Sequence, residues 1–305
     1  MTKLWQTLRY LKSLTKHPLT QKTGGSLKRL FCYQLAKRLL PNTGFIVPFV
    51  GDVKLMLGSG MPTAAANYYC GLNEFDDMGF LLHFLREDDL FCDVGANIGS
   101  YTLLASGVCG GKSVSFEPGL KTFNSLQKNI KLNGLGNKVE LLNMAVGSCP
   151  GVVKFTTSLD TLNHVLTSAE NDDQFAEVPV VTLDDTLKDK IPILVKIDVE
   201  GFEAEVVKGM KRILSSSQCR ALFVEIGWGE GRYGFNEDLL CKEIMAYGFR
   251  PYFYDPIHRK LISRELLNCK EEYGNGSNIL YVRDADFVQK RLGNAPKREI
   301  NGYVF

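Results

Sequence analysis

From Asp89 onward the sequence alternates short apolar runs with longer stretches of helical periodicity, and that alternation admits few architectures. LFCDV, SVSFE, VELLNMAV, ILVKIDV and ALFVEI read as strands, while TLLASGV, TFNSLQKNIKLNG and EAEVVKGMKRILSS read as helices among them. Parallel strands need long crossover connections, and a helix in each crossover covers a face of the sheet. The expected class is therefore α/β, with a mostly parallel sheet carrying helices on both faces. After ALFVEI come a helix near EDLLCKEIMAYG and the runs RPYFYD and NILYVR, which suit an antiparallel pair at the sheet edge. Between the third and fourth parallel strands lies an insertion. GVVKFTTS and EVPVVTLDD read there as two further strands joined by the loop LDTLNHVLTSAENDDQ.

The segment before this pattern differs in composition. Met1 to Gly51 holds nine Lys or Arg and no Asp or Glu, so the remaining chain is net acidic although the total charge is only +2. LWQTLRYLKSLTKHP places Leu4, Leu8 and Leu11 on one helical face with cations elsewhere; it could rest on an anionic membrane through residues 1–20 or pack on its own domain or on a subunit partner. A second helical stretch ends before Pro41, FIVPFVGDVKLMLG reads as two short strands around a Gly-Asp turn, and NEFDDMGFLLHFLRED reads as a helix. The expected division is an accessory region over 1–80, a main domain over 81–290 and a tail over 291–305. The eight cysteines are scattered without a CxxC pair, which suits buried thiols in a reducing compartment. With no membrane-length apolar run and no secretory leader pattern, the expected location is cytoplasmic. Nothing in the charge pattern calls for a nucleic acid partner, and an oligomer is left open.

LFCDVGANIGSYTLLAS is a strand, a glycine turn and a helix. In an open parallel sheet ligands bind beyond the carboxyl ends of the strands, and Gly95 and Gly99 would let the backbone turn sharply against such a ligand. Glu117 ends the next strand, at the spacing of a carboxylate that accepts hydrogen bonds from ribose hydroxyls. A bound nucleoside follows. A dinucleotide site needs a central glycine to approach the pyrophosphate, and Gly95-Ala96-Asn97-Ile98-Gly99 has none. Asp93 would repel a pyrophosphate yet suits a ligand bearing an ammonium and a sulfonium, as S-adenosylmethionine does. A nicotinamide-dependent oxidoreductase and a catalytically inactive scaffold are the competing readings.

Taken together, CDVGANIGSYT (92–102), FEP (116–118), NHV (163–165), VTLDDTL (181–187) and VKIDVEGFEAEVVKG (195–209) resemble the FkbM family of S-adenosylmethionine-dependent methyltransferases, which are Rossmann-like. The resemblance covers about Asp89 to Arg283. It implies a seven-stranded sheet with an antiparallel edge hairpin, and O-methylation of a hydroxyl on a sugar, glycan or secondary metabolite. It further implies that Asp93, Gly95, Asn97 and Gly99 shape the methionine end of the cofactor site and that Glu117 holds the ribose. Asn143, Met144 and Ala145 would lie beside adenine, in a place where many methyltransferases carry an acid.

In a sheet ordered 3-2-1-4-5 the fourth strand lies beside the first, so Asp198 would emerge next to the strand of Asp93, facing the donated methyl group. Glu203 and Glu205 read as acids of a helix's first turn, stabilised by its dipole; Glu200 could do the same, or could orient the active-site loop or bind substrate. The proton of an acceptor hydroxyl must go to a base, for which Asp198, His164 and Glu225 are the candidates. Asp198 and Glu225, joined by His164, could alternatively ligate a divalent metal, although no short-spaced metal motif is present. Lys196 is expected to point to a helix-covered face and pair there with an acid, a catalytic amine being the alternative. Trp228, Arg232, Tyr233 and Phe235, in WGEGRYGFNE, could stack on an acceptor or pack the domain edge.

Overall fold

The computed structural model describes residues 16–20, 25–39, 44–58, 61–159, 162–167, 170, 173–227, 229–264 and 277–305. The expected helix over residues 4–15, Trp228 and Cys269 lie outside them. The chain enters through helix α1 (Gly25–Leu39) and the antiparallel strands β1 (Phe45–Pro48) and β2 (Lys54–Leu57), paired across the predicted Gly-Asp turn. Helices α2 (Pro62–Cys70) and α3 (Phe75–Phe84) follow. Proline at the start of α2 and Asp76 and Asp77 in the first turn of α3 suit helix N-termini, where amides lack partners and the dipole is positive.

The alternating part begins with β3 (Leu90–Val94), helix α4 (Ser100–Leu103) continued by a π-helical turn to Val108, β4 (Lys112–Phe116), helix α5 (Leu120–Leu132) and β5 (Val139–Leu142). The run VELLNMAV, expected as one strand, splits at Asn143. Its end forms β6 (Ala145–Val146), which leaves the main sheet to pair in parallel with β8 (Phe175–Val181), itself antiparallel to β7 (Gly151–Thr156). The insertion thus builds a separate three-stranded sheet.

The chain continues through helix α6 (Leu183–Leu187), β9 (Leu194–Ile197), helices α7 (Glu203–Lys208) and α8 (Lys211–Ser215), β10 (Ala221–Ile226) and helices α9 (Gly229–Tyr233) and α10 (Glu237–Ala246). EAEVVKGMKRILSS is two helices rather than one, broken at Gly209, where a Cβ would meet the carbonyl oxygen of Gly147 at 2.1 Å. β11 (Arg250–Asp255), β12 (Lys260–Ser263), β13 (Ser277–Val282), helix α11 (Ala285–Gly293) and the hairpin of β14 (Glu299–Ile300) and β15 (Tyr303–Val304) close the chain.

Among the described residues the main sheet has eight strands, ordered β12-β11-β13-β10-β9-β3-β4-β5. The parallel portion has the expected 3-2-1-4-5 order, and β13 runs antiparallel between β10 and β11. The expected seven strands become eight because β12 adds to the outer edge, antiparallel to β11. Its four residues KLIS are largely exposed, so they carry no apolar alternation to announce a strand.

β9 is buried along its whole length, as is β3 from Phe91 to Val94, in keeping with central strands covered on both faces. One apolar cluster fills the second face: Val195, Ile197, Leu222 and Val224 meet Val206, Ile213 and Ile244. The other large cluster joins Leu55, Leu57, Leu72 and Phe80 from before residue 81 to Phe91, Leu104, Phe223 and Phe305. Six cysteines (32, 70, 92, 109, 149 and 219) are free, but Cys241 is disulfide-bonded, which departs from the expectation of thiols throughout. No helix among the described residues is long and apolar enough to cross a membrane.

Candidate functional site

The carboxyl ends of β3, β4, β9 and β10 open into a cavity of about 270 Å³, roofed by Phe155, Asn163 and Val165 of the inserted sheet and its loop. The tip of β3 turns at Gly95, whose φ is +81° and whose amide, with that of Ala96, donates to the carbonyl of Phe116. No other residue fits: a Cβ on Gly95 would sit 1.8 Å from the carbonyl oxygen of Asp198. Asn97 follows with φ +52°, a left-handed conformation that asparagine tolerates. Gly99, at φ +92°, lets the turn pass the side chain of Leu126 on its way into α4.

Glu117 anchors the opposite wall. Its Oε2 accepts from the amide of Asn97 and its Oε1 from the amide of Gly119, both at 2.9 Å. Burial pushes its carboxyl up to about 7 against the pull of those two amides, with Asp93 and Asp198 adding to the rise. Asn143 does not line this cavity. Its side-chain amide donates to the carbonyls of Glu117 and Pro118 and so braces the acid's loop, while Met144 and Ala145 form the wall.

Asp93 is buried, and the hydroxyl of Thr102 donates to it at 2.6 Å. Burial raises its pKa, opposed by the neighbouring Lys196. That lysine, itself buried, donates to Asp198 and lies 4.8 Å from the centre of the Tyr101 ring. Burial alone would lower its pKa, but Asp198, Glu74 and Asp93 together hold it above the usual lysine range, so the ammonium stays charged. Lys196 therefore pairs with an acid as the sequence suggested. Among the described residues it is the one Lys or Arg lining the cavity, against Glu74, Asp93, Glu117, Asp198, Glu200 and Glu225.

Three of those acids converge. Carboxylate oxygens of Asp198, Glu200 and Glu225 lie within 4.8 Å of one another, making them the residues among those described that could hold a cation. The sequence reading grouped Asp198 and Glu225 with His164; the structure supplies Glu200 instead. Glu200 sits at φ +57°, and its carbonyl accepts from the guanidinium of Arg232. Burial and the charge of Asp198 push its carboxyl up to about 7. The same two causes, with Glu200 and Glu203 added, raise the proton affinity of Glu225 further, and Oε2 of Glu200 and Oε2 of Glu225 have no hydrogen-bond partner among the described residues.

His164 is buried but does not line the cavity, although its neighbours Asn163 and Val165 do. Its Nδ1 is 2.8 Å from the carbonyl of Leu162 and its Nε2 is 3.0 Å from Glu170, so both ring nitrogens are engaged within the loop. Glu203 also departs from the reading of a plain helix-start acid: it is buried and accepts from the amides of Val199 and Gly201, both at 3.1 Å, which fixes the turn after β9. Glu205 meets Ser148 and Lys208 at the surface of α7. Tyr233 neither faces the cavity nor merely fills the domain edge. Its hydroxyl donates to the carbonyl of Val165 and its ring packs against Phe202 and Phe235.

Glu74 escaped the sequence reading. It precedes α3, far from the glycine turn, yet it lines the cavity and accepts from the hydroxyl of Tyr101 at 2.5 Å. An acid one residue before a helix reads as an ordinary N-terminal residue, and only the fold brings it to the β3 turn.

The hexuronic acid methyltransferase AglP of Haloferax volcanii is 32% identical over 146 residues, which are 47% of this chain and 59% of that protein. Thus the chain spans about three-fifths of the length of the relative it matches. Among solved structures, an rRNA methylase from Streptococcus thermophilus is 13% identical with a TM-score of 0.39, covering 67% of this chain and 91% of that one. The precorrin-6y C5,15-methyltransferase of Geobacter metallireducens is 14% identical with a TM-score of 0.39, covering 69% and 88%. At those scores neither likeness bears on the chemistry here. Residues 93–251, from the buried aspartate of β3 to the second residue of β11, match the methyltransferase FkbM domain, and the chain belongs to that family.

Proposed function

We propose that this protein is an S-adenosylmethionine-dependent O-methyltransferase whose acceptor is a hydroxyl of a sugar or glycan. The observation that carries the reading is the charge of the crevice: among the described residues six acids and one lysine line a cavity closed at one end by the Gly95 turn. Such a site suits a ligand with a net positive charge and an adenosine. The cofactor, when bound, supplies an electrophilic methyl group on a sulfonium.

Each residue then has a physical task. Glu117, held by two backbone amides, keeps lone pairs for ribose hydroxyls, and Met144 and Ala145 offer an apolar wall for adenine. Asp93 and Asp198 favour the cationic end, with Lys196 limiting their mutual repulsion. Glu225 is the residue we assign as proton acceptor for the hydroxyl. It lines the cavity, an oxygen of it is unpartnered, and its raised proton affinity makes it a stronger base than an ordinary carboxylate once ionised. Asp198 and Glu200 share that charge. His164 is assigned to holding the loop over the cavity rather than to proton transfer, because both of its nitrogens are engaged. Much of the rate would come from holding acceptor and donor in line within this closed space.

A sugar acceptor is supported by the named activity of the relative from Haloferax volcanii. The nicotinamide alternative loses ground with membership of a methyltransferase family and with the missing central glycine. Calorimetry with S-adenosylmethionine and S-adenosylhomocysteine tests the cofactor, and a panel of uronic acid and neutral glycosides, with S-adenosylhomocysteine release as readout, tests the acceptor. Folded protein that binds neither nucleoside would end the proposal; release with non-sugar hydroxyls alone would end the acceptor assignment.

A further inference from the structure

Helix α1 turns one face to the domain and leaves a second apolar face outside. On the inner side Tyr33 is buried against Phe45 and Tyr69, its hydroxyl donates to the carbonyl of Gly58, and Leu30 packs on the same core. The guanidinium of Arg29 reaches the carbonyls of Tyr68 and Tyr69 at 3.5 Å. On the outer side Leu27, Phe31, Leu35 and Leu39 are 45%, 68%, 46% and 68% exposed. Their spacing of four aligns them as one row along the helix.

Lys28 and Arg38 flank the row, and Lys37 stands one turn after Tyr33 at the helix end. Lys28, Lys37 and Arg38 are exposed, the helix has no Asp or Glu, and none occurs anywhere from Met1 to Gly51 while nine Lys or Arg do. This charge pattern decides what could cover the row. A second copy of the helix would bring two sets of like charges together, which costs free energy. An anionic bilayer satisfies both features, since the apolar row enters the acyl boundary and the cations meet the headgroups. We propose that α1 docks this protein, through Leu27, Phe31, Leu35 and Leu39, on an anionic lipid surface. The proposal stands independently of the methyltransferase reading.

Co-sedimentation of the full chain with vesicles of phosphatidylglycerol and phosphatidylcholine in equal parts, against vesicles of phosphatidylcholine alone, tests it. The expected result is partitioning at least about tenfold stronger onto the anionic vesicles. The variant Phe31→Gln with Leu35→Gln, which keeps good helix formers on exposed positions, should lower that partitioning about tenfold or more. Lys37→Glu with Arg38→Glu should do likewise, with unchanged thermal melting, and serves if the first variant folds poorly. Absence of binding by the unaltered chain, or equal binding by the variants, would overturn the proposal. So would a dimer in light scattering, without vesicles, that Phe31→Gln with Leu35→Gln dissolves, since the row would then belong to a second copy.

Discussion

Gly95 and the carbonyl of Asp198 stand so close that a single added methyl group would lie 1.8 Å from the oxygen. The turn after β3 and the tip of β9 thus share one position, and both ends of the crevice depend on it. Gly95→Ala is expected to force the strand tips apart, lowering stability by about 2 to 4 kcal/mol and removing nucleoside binding. Thermal denaturation and calorimetry with S-adenosylhomocysteine check this; a variant that binds normally would show that the tips yield cheaply.

Glu117→Gln should lower affinity for S-adenosylmethionine and S-adenosylhomocysteine in parallel, by about tenfold or more, because ribose is common to both. One side-chain amide in place of an oxygen also faces a backbone donor, so part of the loss is local. Unequal losses would place Glu117 near the sulfur instead, and calorimetry separates the two outcomes.

Replacing the assigned base by Glu225→Gln should lower kcat by about a hundredfold or more while S-adenosylhomocysteine affinity changes little. The unaltered enzyme should also have an unusual pH profile. Burial and Asp198 push Glu200 up to about 7 and move Glu225 in the same direction, so the cluster gains its charge only as pH rises through neutrality. The acidic limb of kcat/KM should therefore fall near or above pH 7 rather than near 4 to 5, where free carboxylates titrate. A bound cation favours ionisation, so the limb of kcat should lie lower than that of kcat/KM. A limb near pH 4.5 in both would rule out this assignment.

Stability should run against pH. Burial is the first cause that places Asp77, Glu117, Glu200 and Glu203 at about 7 in the folded chain, well above their unfolded values near 4. A raised acid adds stability that is fully present below the unfolded pKa and is lost as pH rises through the folded one. Melting temperature without ligand should fall from about pH 4.5 through 7, and the more strongly raised Glu225 should extend the decline above 7. Glu203→Gln keeps an oxygen for the amides of Val199 and Gly201 but carries no charge, so it should melt higher than the unaltered chain at pH 8. A lower melting temperature there would mean that the negative charge itself holds the turn.

Much of this site could be read from one sequence because its parts sit at strand ends that the apolar runs announce. Asp93, Glu117, Asp198 and Glu225 each close such a run, and the strand order that makes them neighbours follows from parallel alternation. What stayed hidden depends on contacts between distant segments. Glu74 joins the crevice only because α3 packs beside α4, and Glu200 joins Glu225 only through a left-handed residue that turns its chain back. The ring of His164 is engaged by Glu170, six residues on, a pairing that no spacing in the sequence announces. β12 was missed because exposed residues in a short edge strand carry no period.

The bond from the phenol of Tyr233 to the carbonyl of Val165 ties the segment after β10 to the loop of the inserted sheet. The loop that carries Asn163 and Val165 over the cavity is thereby fixed to the helix that follows β10. Tyr233→Phe would therefore leave that part of the roof without its tie to the body of the domain.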